Sequence, residues 1–491
     1  MNSTPTMKYL LITTCCVVSQ GLAVPAAAQG LFEQAVSGES EEEPATEDDS
    51  AGKDFFKSSA LEFNGYLRGD LFLGKVMDED VTEIKTAFAE VAGKLRARAG
   101  DWGSGFGELR LRYGSDGTAT GLDYDLREAY VELFLGPVDL RVGHQIIAWG
   151  RADGFNPTNN LTPQDMSIRS ADEDDVRLGN FALRSTLNLE PTRLELVWVP
   201  VYAPARFPDF SLPGPIGFAD PEYPDADFEH GIYAARLNVE LSFIDFSVSY
   251  LFGYSTFPGL ELAELMMDPT DVESSGVSVR FRAYQQHVAG LDFAASVSDW
   301  FGIRGEAALR WPEEYEDLAH VPRPDLQWVL GVDREFGDLS IIAQYIGRYV
   351  VDFEAGVETP LLGYVDRLAA GGLTALSPDE QIDLVMNGET YAHQEVRAKA
   401  LMIAGQTEEH QHSLMARVAY KFLQETLTLE LMGLYNISSE EYLLRPKLTY
   451  ALTDGLNFIA GGQIFGGPDG TLYGMVDEIQ SAGYVEIKAY F

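Results

Sequence analysis

From Leu61 to Phe491 the chain alternates apolar and polar residues with a period of two, segment after segment. In "FGELRLRY" (106–113), Glu108, Arg110 and Arg112 fall on one face, and Leu109, Leu111 and Tyr113 on the other. In 301–311, Arg304, Glu306 and Arg310 oppose Ile303, Ala307, Leu309 and Trp311. In 413–422, Arg417 and Lys421 oppose Leu414, Val418, Tyr420 and Phe422, and in 443–450 Arg445 and Lys447 oppose Leu444, Leu448 and Tyr450. Successive side chains of a strand point to opposite faces, so each segment reads as a strand with one apolar and one polar face.

A soluble sandwich alternates as well, but two features favour a barrel in a membrane. The polar face mixes Glu with Arg on strand after strand, which suits a water-filled lumen. Connections also alternate in length: short near 100–103, 136–137, 191–192, 242, 299, 336–337, 423–424 and 453–454, and long near 76–83, 114–122, 149–178, 202–228, 255–285, 312–324, 350–410 and 467–478. Short turns on one rim and long loops on the other are the pattern of a transmembrane antiparallel β-barrel. The strands are predicted at about 61–75, 84–99, 104–114, 123–135, 138–148, 179–190, 193–201, 229–241 and 243–254. They continue at about 286–298, 300–311, 325–335, 338–349, 411–422, 425–436, 441–452, 455–466 and 479–491. That makes about 18, with 16 the alternative count, and both ends lie on the short-turn side. Closure is expected because an unpaired strand edge in lipid costs several kcal/mol per amide.

Three segments organise the chain. Residues 1–28 read as a secretory signal peptide: Lys8, a short apolar run and an A-x-A site at Ala26–Ala28. Residues 29–60 are acidic, poor in apolar side chains and expected to be disordered. Residues 61–491 form the barrel, with 350–410 a long, partly helical extracellular insertion. Within that insertion, 377–388 reads as one helix with a Ser N-cap and a Gly stop, and 392–405 as a second. Both cysteines, Cys15 and Cys16, lie in the signal, so the exported chain has no disulfide and no thiolate. A formal net charge of −41 argues against a nucleic-acid partner.

The densest stretch is "RVGHQIIAWGRADGFNPTNNLTPQD" (141–165), which opens the third long loop. Residues 149–178 set Arg151, Arg169 and Arg177 against Asp153, Asp165, Asp172, Glu173, Asp174 and Asp175. Folded inward, those charges would impose a transverse field and a size limit on the pore. The constriction residues are therefore expected to be Arg151, Asp153, Asp165, Arg169, Asp172 and Arg177, with a rim loop ordered by its own salt bridges as the alternative. Trp149, at a strand end, reads most simply as an interfacial anchor. Strand parity assigns Glu90, Lys94, Arg96, Arg98, Glu108, Arg110, Arg112, Arg141, Arg236, Arg304, Glu306, Arg310, Arg348 and Arg417 to the lumen.

The stretch resembles a family of large, uncharacterised Gram-negative outer-membrane barrels that carry R-x-G-x-Q-x-x-x-W-G followed by an Asp and an N-P pair. The matching positions are Arg141, Gly143, Gln145, Trp149, Gly150, Asp153, Asn156 and Pro157. The resemblance implies a porin-like barrel in the outer membrane, among its lipids, with hydrophobic compounds or lipids as one cargo class. The C-terminal "GYVEIKAYF" resembles the assembly signal of Gram-negative outer-membrane proteins, departing at Ala489 where an aromatic is usual. It implies insertion by the outer-membrane assembly machinery.

The function expected is a porin or channel-type transporter for small molecules. A non-conducting surface receptor and a barrel enzyme are the alternatives, and a homo-oligomer is possible. No catalytic residues are expected, since His144 has outward parity and no serine motif accompanies it. No cofactor or metal is expected: "EEHQH" places His410 and His412 beside Glu408 and Glu409, and reads as a solvated charge run, as does "ADEDD" (171–175), which lacks the fixed spacing of a calcium loop.

Overall fold

The computed structural model describes residues 61–75, 81–115, 120–152, 154–207, 216–266, 276–298, 301–357, 359–468 and 471–491. The signal peptide, the acidic segment 29–60 and Asp153 lie outside the described residues.

Eighteen strands form one antiparallel ring. Strands β1 to β5 span Leu61–Lys75, Thr82–Arg98, Gly103–Ser115, Thr120–Leu135 and Val138–Gln145. Strands β6 to β9 span Asn180–Leu189, Thr192–Val199, Ile232–Glu240 and Asp245–Tyr254. Strands β10 to β13 span Gln285–Ser298, Phe301–Pro312, Asp325–Phe336 and Leu339–Val350. Strands β14 to β18 span His410–Phe422, Leu427–Asn436, Glu441–Thr453, Leu456–Gly466 and Ala482–Tyr490. Each predicted strand has its counterpart, with ends moved by a few residues. Strand β1 pairs with β18 from Tyr66↔Tyr490 to Gly74↔Ala482, which closes the ring and removes both edges. Beyond β18, Phe491 exchanges backbone hydrogen bonds with Gly65 at 2.9 and 3.0 Å.

The wall is inverted relative to a soluble protein. Leu67, Leu109, Leu111, Leu330 and Ile487 are exposed on the outside, while Arg68, Glu90, Arg110, Asp292 and Glu486 are buried inside. An apolar outer band with every backbone pair satisfied is what hydrocarbon demands of a spanning sheet. Tight turns such as 136–137 between β4 and β5 and 337–338 between β12 and β13 sit on one rim. The other rim carries the long loops, together with one tight turn, 437–440 between β15 and β16, that the alternation of lengths did not anticipate.

The lumen is not uniformly polar. Val197, Val199, Ile232, Leu251, Val288 and Ala308 point inward and pack with Ile147, Trp149 and Leu161 of loop 146–179. On the other side, Val329, Ile342, Met415, Met432, Leu443 and Phe465 pack with Ala152 and Phe155 of that loop. Leu472, Tyr473 and Val476 of a helix in the last loop, Leu472–Gln480, complete this second cluster. Apolar side chains of the loop thus fill inward-facing apolar patches, a pairing that period-two parity cannot show.

Over the long-loop rim lie helix α1 (Leu361–Gly371), helix α2 (Pro378–Ile403) and a small sheet formed by Ile216–Phe218, Gly259–Met266 and Gly276–Arg282; the helix Leu472–Gln480 is α3. The expected pair of helices at 377–388 and 392–405 is instead a single helix. Ser377 caps it in a capping box with Glu380 as expected, but Gly388 continues it. A Gly ends a helix only where the chain turns left-handed, and Gly388 is instead buried within α2, on the face where Leu384 and Ala392 pack toward Tyr364 of α1. The aromatic loop after β7 joins the cover: Phe207 stacks on Phe281 at 4.3 Å between ring centroids, and Phe228 on Trp198 at 5.1 Å.

Candidate functional site

Loop 146–179 leaves β5 and runs through the lumen. Its departure is built by the residues of the opening stretch. Gly143 has φ +139, and a Cβ there would sit 2.3 Å from the Ala129 carbonyl oxygen, so only glycine lets β5 approach β4 this closely. Gln145 donates to the Ala182 carbonyl at 2.9 Å, fixing the end of the strand. Trp149 is buried, and its indole N–H donates to Glu195 of β7 at 2.6 Å. It is therefore an internal anchor and not an interfacial one: a carboxylate on the inner wall offers its N–H the partner that a buried indole needs. Gly150 has φ +116, and Asn156 folds under it to donate to the Trp149 carbonyl at 2.5 Å. Pro157 is buried, and its carbonyl accepts from Asn160 at 2.8 Å.

Arg151 is the first latch. Its guanidinium bonds Asp292 of β10 and Asn238 of β8, and reaches Ser247 of β9 at 3.2 Å. Beside it, the Glu306 carboxylate of β11 accepts from the backbone N–H groups of Arg151 and Ala152, at 2.5 and 2.6 Å, and from the Thr158 hydroxyl at 2.9 Å. Arg236 adds a second cation to Asp292 at 3.1 Å.

The second latch lies at the far end of the loop. Asp175 accepts from Arg68 of β1 and Arg110 of β3, both at 2.5 Å, and from Ser170 at 2.5 Å. Arg127 of β4 donates to the backbone carbonyls of Asp174 and, at 2.7 Å, Arg177. Arg445 of β16 meets Glu173 at 2.9 Å, and Lys488 of β18 meets Asp172 at 3.1 Å. Burial opposes the ionisation of Asp175, but the Arg68, Arg110 and Arg127 guanidiniums outweigh it and hold its carboxyl well below the usual carboxylate range. In an eighteen-strand ring, β10 and β1 are nine strands apart and stand on opposite walls. The loop is a strap pinned at both sides of the lumen.

The predicted constriction residues divide accordingly. Arg151 and Asp172 bridge to the wall. Arg169 reaches Thr86 of β2 and the Ile479 carbonyl of α3, each at 3.4 Å. Arg177 lies 3.5 Å from Asp174 of the same loop. Asp165 departs from its expected place: its carboxylate accepts from the Ser167 N–H at 2.9 Å and faces Arg206 at 3.7 Å, so it shapes the joint between two loops. The acids of "ADEDD" are not pooled: Asp172, Glu173 and Asp175 meet basic residues on different strands, and Asp174 meets Arg177 of the loop. The alternative of a rim loop held by its own salt bridges fails for the same reason, since the principal pairs run from loop to wall.

The lumen residues predicted from parity are engaged in a mesh of ion pairs across strands. Lys94 meets Glu108 at 3.3 Å and Arg112 meets Glu90 at 2.7 Å; Arg110 bonds Glu108 at 2.7 Å and Arg141 bonds Glu132 at 3.0 Å. Arg304 meets Asp333 at 3.2 Å, Arg310 meets Asp325 at 2.5 Å and Arg417 meets Glu430 at 2.6 Å. Arg348 shares Asp325 at 3.2 Å and donates to the Ala404 carbonyl at 2.8 Å, just beyond the end of α2. Arg96 lies over the Phe106 ring at 5.7 Å, and Arg98 sits at the short-turn rim, 3.6 Å from Glu62. The histidines of "EEHQH" are taken by tyrosines: His410 stacks on Tyr349 at 4.8 Å and His412 Nδ1 lies 2.7 Å from the Tyr345 hydroxyl.

Sequence reasoning missed the wall partners Arg68, Arg127, Glu195, Asp292 and Asp325. Parity alone, applied to "NGYLRGDLF", marks Arg68 as inward-facing; the cross-lumen partnership with Asp175 had no local signal.

No family model matches the sequence, and no curated protein matches it. Solved structures do. OccAB3 of Acinetobacter baumannii matches with a TM-score of 0.51 at 9% identity, covering 88% of this chain and 100% of that one. OccK9 (OpdG) of Pseudomonas aeruginosa matches at 0.50 and 11% identity, covering 88% and 98%. OpdK of the same organism, solved with vanillate, matches at 0.50 and 10% identity, covering 88% and 98%. At such identities the likeness is one of fold. The closed ring, its apolar exterior and its inward third loop define the class: a porin-like β-barrel of the bacterial outer membrane.

Proposed function

We propose that this barrel is a channel for small molecules whose conducting path is set by the strap 146–179. The observation that carries the reading is the double latch. Arg151 on Asp292 and Asp175 on Arg68 hold the loop to opposite walls, so whatever crosses the lumen passes beside it. Opposed charges along the strap and the facing wall act at short range in a confined frame, where they influence a solute more than screened rim acids do. The residues proposed to face that path are Arg151, Arg169 and Asp172 on the strap, with Arg112, Arg141, Arg417 and Lys94 on the wall. The Phe491 end is proposed as the signal read by the assembly machinery.

The test is single-channel recording in planar bilayers. Wild type should conduct in small steps, and shortening 154–172 should raise conductance while the barrel stays folded, because the strap lies outside the hydrogen-bonded wall. A wild type that is closed, and remains closed after shortening, would make the protein a surface receptor with a plugged lumen.

A further inference from the structure

Between the strap and the cover, the lumen holds a chamber of about 230 Å³. Its apolar side chains come from separate elements: Phe155 of the strap, Ile346 of β13, Leu434 of β15, Met402 of α2, and Leu472 and Tyr473 of α3. Of the charged groups at its edge, Arg348 and Glu441 are already committed, while Glu408 is exposed. Arg348 is bound to Asp325 at 3.2 Å and to the Ala404 carbonyl. Glu441 accepts from the Tyr473 backbone N–H at 2.6 Å and from Ser439. Gln411 donates to the Gly405 carbonyl at 2.6 Å. An anionic guest would have to break the Arg348 pairing to gain a partner, whereas an apolar guest gains contact without breaking any. Below the chamber the same apolar surface continues through Ile342, Met415 and Met432.

We propose that this chamber is a binding site for a neutral, largely apolar small molecule. The role as a stop on a permeation path rests on the channel reading; the binding does not. An apolar protein cavity of about 150 Å³ stays dry and takes benzene, so by proportion this one holds a guest of roughly nine or ten carbons. A naphthalene-sized ring system has that bulk. The gain comes from removing apolar surface from water on both partners, and a single hydroxyl on the guest can be met by Ser413 or Asn436 at the edge.

The test uses 1-bromonaphthalene soaked into crystals of the full barrel, with bromine located by its anomalous signal. A peak between Phe155, Leu434 and Tyr473 is expected. Filling the chamber with Leu434→Trp, or from the neighbouring strand with Ser413→Phe, should abolish it. A peak elsewhere only, or one that survives both fillings, overturns the proposal. If both variants fail to assemble, the wild-type crystal decides alone: no peak in the chamber overturns the site. In bilayers, 1-naphthol should reduce the wild-type current at least tenfold more potently than that of the filled variants. A barrel that passes no ions yet shows the bromine peak removes the channel reading and leaves the site standing.

Discussion

Asp70 and Glu486 face each other across β1 and β18, the strand pair that closes the barrel, with their carboxyl groups within hydrogen-bonding reach of one another and no other donor among the described residues bonded to their oxygens. Arg68 lies 3.7 Å from each, but is held closer by Asp175 at 2.5 Å and Glu90 at 2.7 Å. Two buried acids therefore share the weak remainder of one cation. A buried polar group left without a partner costs about 1–3 kcal/mol, and an amide can donate to the facing carboxylate without adding to the repulsion between the two acids. Asp70→Asn, and separately Glu486→Gln, should accordingly be neutral or stabilise the folded barrel by about 1 kcal/mol. Urea titration of folding into lipid vesicles measures this; a clear loss of stability would mean that the pair is held by an ion or a proton it cannot spare.

The wall makes a second prediction. Leu109 and Leu309 are exposed on the outer face, so Arg at either should cost about 2–4 kcal/mol near the midplane and less toward the rims. Ala308 has the opposite parity, which by itself suggests tolerance. The structure reverses that expectation: Ala308 is wholly buried among Ile147, Trp149 and Leu161 of the strap. Arg there should cost at least as much as at Leu309, through overpacking and an unpaired charge. Lys94 is a suitable inner control, being well exposed to the lumen, and Lys94→Ala should change stability by under about 0.5 kcal/mol. The same vesicle titration separates these cases.

Parity explains which part of this molecule is written locally. Lipid outside and water inside impose the same period on every strand, so the alternation around Leu109 or Leu309 reads off directly, and so does the number of strands. What fills the lumen answers to closure. Ala308 meets Trp149 only because the ring brings β11 over the strap, and nothing near residue 308 announces it. The same holds for Arg151 and Asp292, 141 residues apart in sequence. Gly388 misled for a different reason: glycine is permitted to end a helix, but tertiary packing against α1 decides whether it does.

At the second latch, the sign of a pH effect is fixed. The Asp175 carboxyl is held below its usual range, so its ionised form stabilises the fold at every pH above the unfolded carboxylate value, near 4. That contribution shrinks as the pH falls below about 4 and is lost once the native carboxyl also protonates. The stability difference between wild type and Asp175→Asn should be flat from about pH 8 to 5 and narrow below about 4. At neutral pH it should be about 3 kcal/mol, the cost of removing one partner from a buried pair. Parallel unfolding titrations across this range provide the check, and a difference that grows on acidification would contradict the assignment.

The chain end offers a test of assembly. Phe491 pairs with Gly65 through both backbone groups, and its ring lies 6.0 Å from that of Phe63. Deleting Phe491 should slow insertion and leave unfolded chain in the periplasm. A one-residue insertion after Gly483 should do worse, since it turns the remaining side chains of β18 to the wrong face. Heat-modifiable mobility of the membrane fraction reports the folded barrel, and normal yield after both changes would refute the role given to this strand.

The first latch decides how firmly the strap governs the path. Glu306 accepts four hydrogen bonds from the strap, three from the backbone N–H groups of Arg151, Ala152 and Thr158 and one from the Thr158 hydroxyl. Asp292 takes the Arg151 guanidinium beside it. Glu306→Ala removes both acceptor oxygens and with them all four hydrogen bonds, and Arg151→Glu sets a carboxylate against Asp292; each should free the first half of the strap while Asp175 still holds the second. Conductance should then become noisy, flickering between the wild-type level and a larger one. Combining Glu306→Ala with Asp175→Asn should fix the larger level. The backbone pairing of β10 and β11 does not involve these side chains, so the outer wall should remain closed and the protein heat-modifiable. Current traces that keep the wild-type step in the double variant would mean that the apolar contacts of Trp149 and Phe155, not the ionic latches, hold the strap across the lumen.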